Sequence, residues 1–157
     1  MESETYLTFL LGEEYFAVNV KKVLEVLEQQ QITRVPKSPD HILGILNFRG
    51  EILPVIDTRR MFGIAGHEAN SKNSVIVYEI QGETETSTIA ATADAVKDVI
   101  DISEKEIKPV PELGISYNAR FITGAIKRND NFILLIDIEK VLSQNKSEVI
   151  SQNELIN

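Results

Sequence analysis

Two aspartates come first among the residues whose types and spacing could do chemistry. Asp57 ends the apolar run GILNFRGEILPVID that starts at Gly44, and Asp137 ends GAIKRNDNFILLID, which starts at Gly124. Two carboxylates that meet in one cleft can divide the work of general acid and base, as in a small hydrolase or isomerase. A structural role competes with that one. Asp57 precedes Thr58-Arg59-Arg60-Met61-Phe62 and Asp137 precedes Ile138-Glu139-Lys140-Val141-Leu142. Each aspartate therefore reads as the N-cap of a short helix that begins where a strand ends, worth about 1 kcal/mol. Capping needs no further assumption, so it is preferred.

Other chemistry finds less support. His41 and His67 are the only imidazoles, and neither has metal-ligand spacing with another strong ligand. There is no G-x-S-x-G nucleophile elbow, no G-x-G-x-x-G and no P-loop. Asn129-Asp130-Asn131 lacks the later glycine and glutamate of a calcium loop and fits a hairpin turn better. No metal and no cofactor is expected. Asn145-Lys146-Ser147 matches a glycosylation sequon by chance, since nothing suggests a secretory route.

The elements that would position these residues belong to a chain of 157 residues, enough for one ordinary domain with a real core or two very small barrels sharing one. Hydrophobic residues make up 43% and charged residues 25%, a globular composition. The formal net charge of −8 repels phosphate backbones and anionic lipid. With aromatics at 6% and no tryptophan, a nucleic-acid barrel built on stacking platforms is a distant reading. The absence of cysteine excludes disulfides, thiolate zinc sites and a cysteine nucleophile. The acidic start MESETYLTFLLGEEYF fits neither a signal peptide nor a spanning helix, so a cytoplasmic location is expected.

The chain repeats itself. GILNFRGEILPVIDTRRMF from Gly44 lies without a gap over GAIKRNDNFILLIDIEKVL from Gly124, matching Gly44 to Gly124, Ile56 to Ile136 and Asp57 to Asp137. Upstream, VLEVLEQQQITRVP from Val23 parallels VKDVIDISEKEIKPVP from Val96, and a strand and turn at Gly12 has a counterpart at Gly82. The expected organisation is one domain over 1–157, with a first barrel unit at 5–63, a linker at 64–73, a second barrel unit at 74–142 and a C-terminal tail at 143–157. Each unit carries five short strands by alternation and β-branched runs, punctuated by glycine and proline. In the first unit these are Tyr6 to Leu11, Tyr15 to Val20, Ile32 to Val35, Ile45 to Phe48 and Ile52 to Ile56. A small barrel would remove the exposed sheet edges that otherwise promote aggregation. With much β surface and no reaction centre, the sequence points to binding.

The segments GEEYFAVNVKKVLEV, ITRVPKSPDHILGILNFRGEILPVIDTRRMFG, VKDVIDISEKEIKPVPELG and FITGAIKRNDNFILLIDIEKVL, in that order from about Tyr6 to Leu142, resemble the CheW family of chemotaxis coupling proteins. The resemblance implies a mainly β fold of two five-stranded SH3-like barrels with a few short helices. It also implies a non-enzymatic adaptor that joins the cytoplasmic tips of methyl-accepting chemotaxis receptors to the histidine kinase CheA, whose regulatory domain shares the fold. Receptor arrays at the inner face of the membrane are the implied setting. Asn47-Phe48-Arg49-Gly50 stands at the family's Asn-Leu-Arg-Gly hairpin, so Arg49 falls on the arginine associated with receptor coupling. Val23, Gly44, Val96 and Gly124 fall on positions linked to receptor contact, and Val20 and Glu25 on positions near the kinase surface. Glu25 is expected to hold Arg49, because a planar guanidinium pairs well with a carboxylate. Phe48 for leucine and Thr58 for an apolar residue depart from the family pattern and should change packing more than chemistry. The alternatives are a small enzyme using Asp57 and Asp137, or a scaffold of the same kind in a pathway that does not control swimming.

Overall fold

A computed structural model describes residues 2–28, 30–64, 74–82, 84–110 and 121–142. Most of the expected linker, His67 and the expected tail at 143–157 lie outside the described residues. Ten strands follow in chain order: β1 (Ser3–Leu11), β2 (Glu14–Asn19), β3 (Val23–Leu27), β4 (Ile42–Phe48), β5 (Glu51–Ile56), β6 (Ser74–Gln81), β7 (Thr86–Ala93), β8 (Ala95–Ser103), β9 (Ile122–Arg128) and β10 (Asn131–Ile136). Helix α1 (Thr58–Met61) follows β5, and a second short helix, α2 (residues 138–142), follows β10.

The strands form two five-stranded sheets with orders β8-β1-β2-β10-β9 and β3-β6-β7-β5-β4. Replacing each strand by its repeat partner, β1 by β6 through β5 by β10, turns the first order into the second. The fold is therefore a pseudo-twofold pair, as the repeat requires. The halves of the chain and the sheets do not coincide, however. The first sheet takes β1 and β2 from the first half and β8, β9 and β10 from the second; the other sheet takes the remainder. Units closed within 5–63 and 74–142 are thus corrected to reciprocally exchanged ones. Alternation along a strand fixes which face is buried, but not which hairpin lies alongside it.

Exchange lets one core serve both sheets. Leu7, Phe9, Phe16 and Val18 of the first sheet meet Ile56, Ile76, Tyr78 and Ile89 of the second in a single buried cluster. Smaller clusters fill each sheet's own concavity: Ala17, Ile102, Ile126, Ile133 and Leu135 in one, and Leu46, Val55, Val75 and Ala90 in the other. The period of two is visible in β10, where Leu134 and Ile136 face the shared core while Ile133 and Leu135 face inward. β2 splits in the same way, with Phe16 and Val18 on the shared side and Ala17 on the other.

The outer strands of each sheet are joined by short returns of the chain. Thr33 and Ile45 exchange backbone hydrogen bonds of 2.9 and 2.8 Å, and Lys108 and Ala125 exchange bonds of 2.9 and 2.8 Å. These are isolated bridges, which corrects the expected strand Ile32 to Val35. The third strand of the first half is instead VLEVL, which pairs with β6 from Val23↔Tyr78 to Leu27↔Val75. After Thr33 the chain soon reaches Pro36, which has no N–H to continue a ladder.

Candidate functional site

The β4–β5 hairpin turns through two residues with positive φ, Arg49 at 51° and Gly50 at 87°. Such a two-residue turn matches the twist of the flanking strands and favours Asn, Asp and Gly. The β9–β10 hairpin complies with Asn129 at 51° and Asp130 at 67°. Arg49 does not, and holding a β-carbon there costs about 1 kcal/mol. The turn is braced by the Gly50 N–H, which donates to Asn47 Oδ1 at 2.9 Å.

The Arg49 side chain is 74% exposed, yet it has partners. Its Nη2 donates to Glu25 Oε2 at 3.3 Å, and its guanidinium carbon lies 4.9 Å from the centre of the Phe48 ring. Phe48 therefore does more than change packing: it sets a π face against the cation, which attracts it. Glu25 projects from β3 and Arg49 from the β4–β5 turn, at the two outer strands of one sheet, so the pair reaches across the same gap that Thr33 bridges. An exposed pair of this kind contributes about 0–1 kcal/mol. It orients the arginine while leaving most of it open to a partner.

The other sheet has a counterpart that the sequence reading missed. Arg128 Nε and Nη2 each lie 3.0 Å from the Glu106 carboxylate, and Nη2 also donates to the Asp101 carbonyl at 2.8 Å. Glu106 closes a capping box with Ser103 in the 3-10 turn Glu104–Glu106. The repeat sets Asn129 opposite Arg49 and Arg128 opposite Phe48, so it does not point to this pair. The Ser103 N–H, and then Arg128, hold the Glu106 carboxyl below its ordinary value. A depressed carboxylate stabilises the fold above the ordinary carboxylate range, and that contribution is lost as pH falls through the depressed value. Glu106→Gln is expected to flatten the acid side of the stability–pH curve, measured by urea melts between pH 3 and pH 7, roughly the span over which carboxylates titrate.

The remaining expected positions fall into distinct places. Val20, Val23 and Val96 are half-buried and pack on the shared core, with Val23 first in β3 and Val96 second in β8, just after the chain has crossed between sheets. Gly44 and Gly124 are buried. A β-carbon on Gly44 would lie 2.3 Å from the Thr33 carbonyl oxygen, and one on Gly124 would lie 2.6 Å from Ile107 Cγ2. The close approach these glycines permit is made by the protein's own returning chain.

Asp57 and Asp137 also separate. Asp137 Oδ1 accepts the Lys140 N–H at 3.2 Å, as an N-cap does. Asp57 occupies the N-cap position of α1 but makes no side-chain cap hydrogen bond, a correction; its carboxylate lies 3.7 Å from Arg60 Nε. The N–H of the following residue, buried Thr58, donates instead to Thr92 Oγ1 at 3.2 Å. The hollow beside Asp57, about 390 Å³, is lined by residues from Arg34 to Leu43 together with Asp57 and Arg60. Asp137 does not line it, so the two carboxylates share no cleft there. No group of three or more metal-ligating side chains occurs among the described residues, and none of their helices is long and apolar enough to cross a membrane.

Two five-stranded β sheets that exchange strands, with an exposed, braced arginine at one hairpin tip, define a two-sheet β scaffold. The CheW-like domain family matches residues 5–146, and the chain belongs to that family. It is 31% identical over 147 residues to the chemotaxis protein CheW of Klebsiella aerogenes, covering 94% of this chain and 86% of that one. It is 29% identical over 146 residues to the chemotaxis protein CheW of Bacillus subtilis, covering 92% and 90%. The crystal structure of the scaffolding protein TtCheW from Thermoanaerobacter tengcongensis superposes with a TM-score of 0.76 at 32% identity, over 90% of this chain and 88% of that one.

Proposed function

We propose that the protein is a non-enzymatic adaptor that couples the cytoplasmic tips of methyl-accepting chemotaxis receptors to the histidine kinase CheA. The observation that carries this reading is Arg49 in its family hairpin. A strained turn position costs the fold about 1 kcal/mol to hold an arginine that is mostly open to solvent. Family membership over residues 5–146 supplies the context. The receptor-facing surface centres on Arg49, with Val23 and Val96 offering partly exposed apolar contact; Gly44 and Gly124 support it indirectly by letting the chain close beneath it. The kinase-facing surface includes Val20 and Glu25. Working at receptor arrays on the inner face of the membrane, such an adaptor needs only modest individual affinities, because many weak contacts act together.

Binding tests this reading before any activity assay. The wild-type protein is expected to bind both the CheA regulatory domain and a receptor cytoplasmic fragment in calorimetric titrations. Arg49→Ala is expected to weaken the receptor titration more than the kinase titration, with its melting curve close to wild type. Wild-type protein that bound neither component would contradict the reading.

A further inference from the structure

Two charged residues sit where the chain changes sheets, and each pairs with a residue of a terminal helix. Lys22 ends the 3-10 turn between β2 and β3, and its Nζ lies 2.5 Å from Glu139 Oε1 in α2. Asp94 stands between β7 and β8. It accepts Arg59 Nε of α1 at 2.9 Å, pairs with Arg59 Nη2, and accepts the Gly12 N–H at 2.6 Å. The side chains of both pairs are only 19–34% exposed, so salt screens them less than surface charges.

The two pairs occupy corresponding places. Each ties a crossover to the helix at the end of the sheet that the chain has just left. Arg59 and Glu139 are repeat partners, since 139 − 59 and 124 − 44 are both 80. Their signs are opposite, and so are those of Lys22 and Asp94. If each half kept its own strands, with β1 and β2 beside β5 and with β6 and β7 beside β10, Lys22 would meet Arg59 and Asp94 would meet Glu139. Both encounters set like charges together. The apolar pattern is shared by both halves, so burial alone discriminates poorly between the two arrangements.

We propose that these charge-reversed pairs select the exchanged sheets over the unexchanged ones, by attraction in the first and repulsion in the second.

The full-length swap Lys22→Glu with Glu139→Lys separates this role from simple stabilisation. It keeps net charge and keeps an attractive pair in the exchanged fold, yet it makes both unexchanged encounters attractive. Refolding from urea, followed by fluorescence and then by NMR contacts of β2, is the readout. Exchanged sheets place Tyr15 beside Ile133 of β10; unexchanged sheets would place it beside β5. The swap is expected to lose native amplitude, to gain a slow phase relative to wild type, and to show β2–β5 contacts. The neutral pair Lys22→Gln with Glu139→Gln is expected to refold to β2–β10 contacts alone. A second variant, Arg59→Glu with Glu139→Arg, makes both native pairs repulsive and is expected to shift contacts further toward β5. A swap that refolds as wild type does, or a glutamine pair that loses as much native amplitude as the swap, would overturn the proposal.

Discussion

Gly44→Ala is expected to lower the urea midpoint more than any other single-methyl change at a glycine of this fold. The added carbon would lie 2.3 Å from the Thr33 oxygen and 2.9 Å from the Thr33 carbonyl carbon, both backbone atoms that cannot rotate away. Relief requires the returning segment to leave β4, which breaks its two hydrogen bonds to Ile45. Overpacking costs about 1–3 kcal/mol, and each backbone bond lost costs about 1 kcal/mol. Gly124→Ala provides the internal comparison. Its nearest obstacle at 2.6 Å is a side-chain methyl of Ile107, and the Lys108 oxygen stands farther off at 3.2 Å. A smaller shift is expected there, and equal or larger loss at Gly124 would contradict this account of closure.

Phe62→Ala has the other large expected effect. Phe62 is fully buried just past α1. Its ring centre lies 5.1 Å from that of Phe16 in β2 and 6.0 Å edge-on from that of Phe121 ahead of β9. It thus carries the end of one sheet into the aromatic cluster of the other. Truncation removes both ring contacts and leaves a cavity between the sheets, at a cost of about 3–5 kcal/mol. Since a domain of this kind is stable by about 5–15 kcal/mol in all, the variant should be largely destabilised at 37 °C. Thermal melts with circular dichroism check it, and a midpoint within a few degrees of wild type would show that the sheets are joined chiefly elsewhere.

The fold was legible in the sequence as far as local patterns reach. The repeat anchored on Gly44 and Gly124 set the number of strands per half, and Arg49-Gly50 and Asn129-Asp130 marked two hairpin tips. VLEVL lacks clean alternation and is a strand through its pairing with β6 in the other half of the chain. The exchange of strands was illegible for the same reason: pairing partners depend on contacts that alternation does not encode. At the site, Arg49 was found through the family hairpin, and Glu25 lies within reach of it. The π face of Phe48 and the Arg128–Glu106 counterpart were missed. Asp57 stands at the head of α1, but its carboxylate lies toward Arg60 and makes no side-chain cap hydrogen bond.

In the proposed adaptor role, receptor control reaches the kinase through this scaffold and its exposed arginine. The most direct test measures CheA autophosphorylation on receptor-containing membranes, with wild-type protein, with Arg49→Ala and with neither. Receptor-dependent activation by wild type, lost in a variant whose fold and stability stay close to wild type, is the predicted result. Kinase activity that stays unchanged when wild-type protein is added to receptor and CheA together would contradict it.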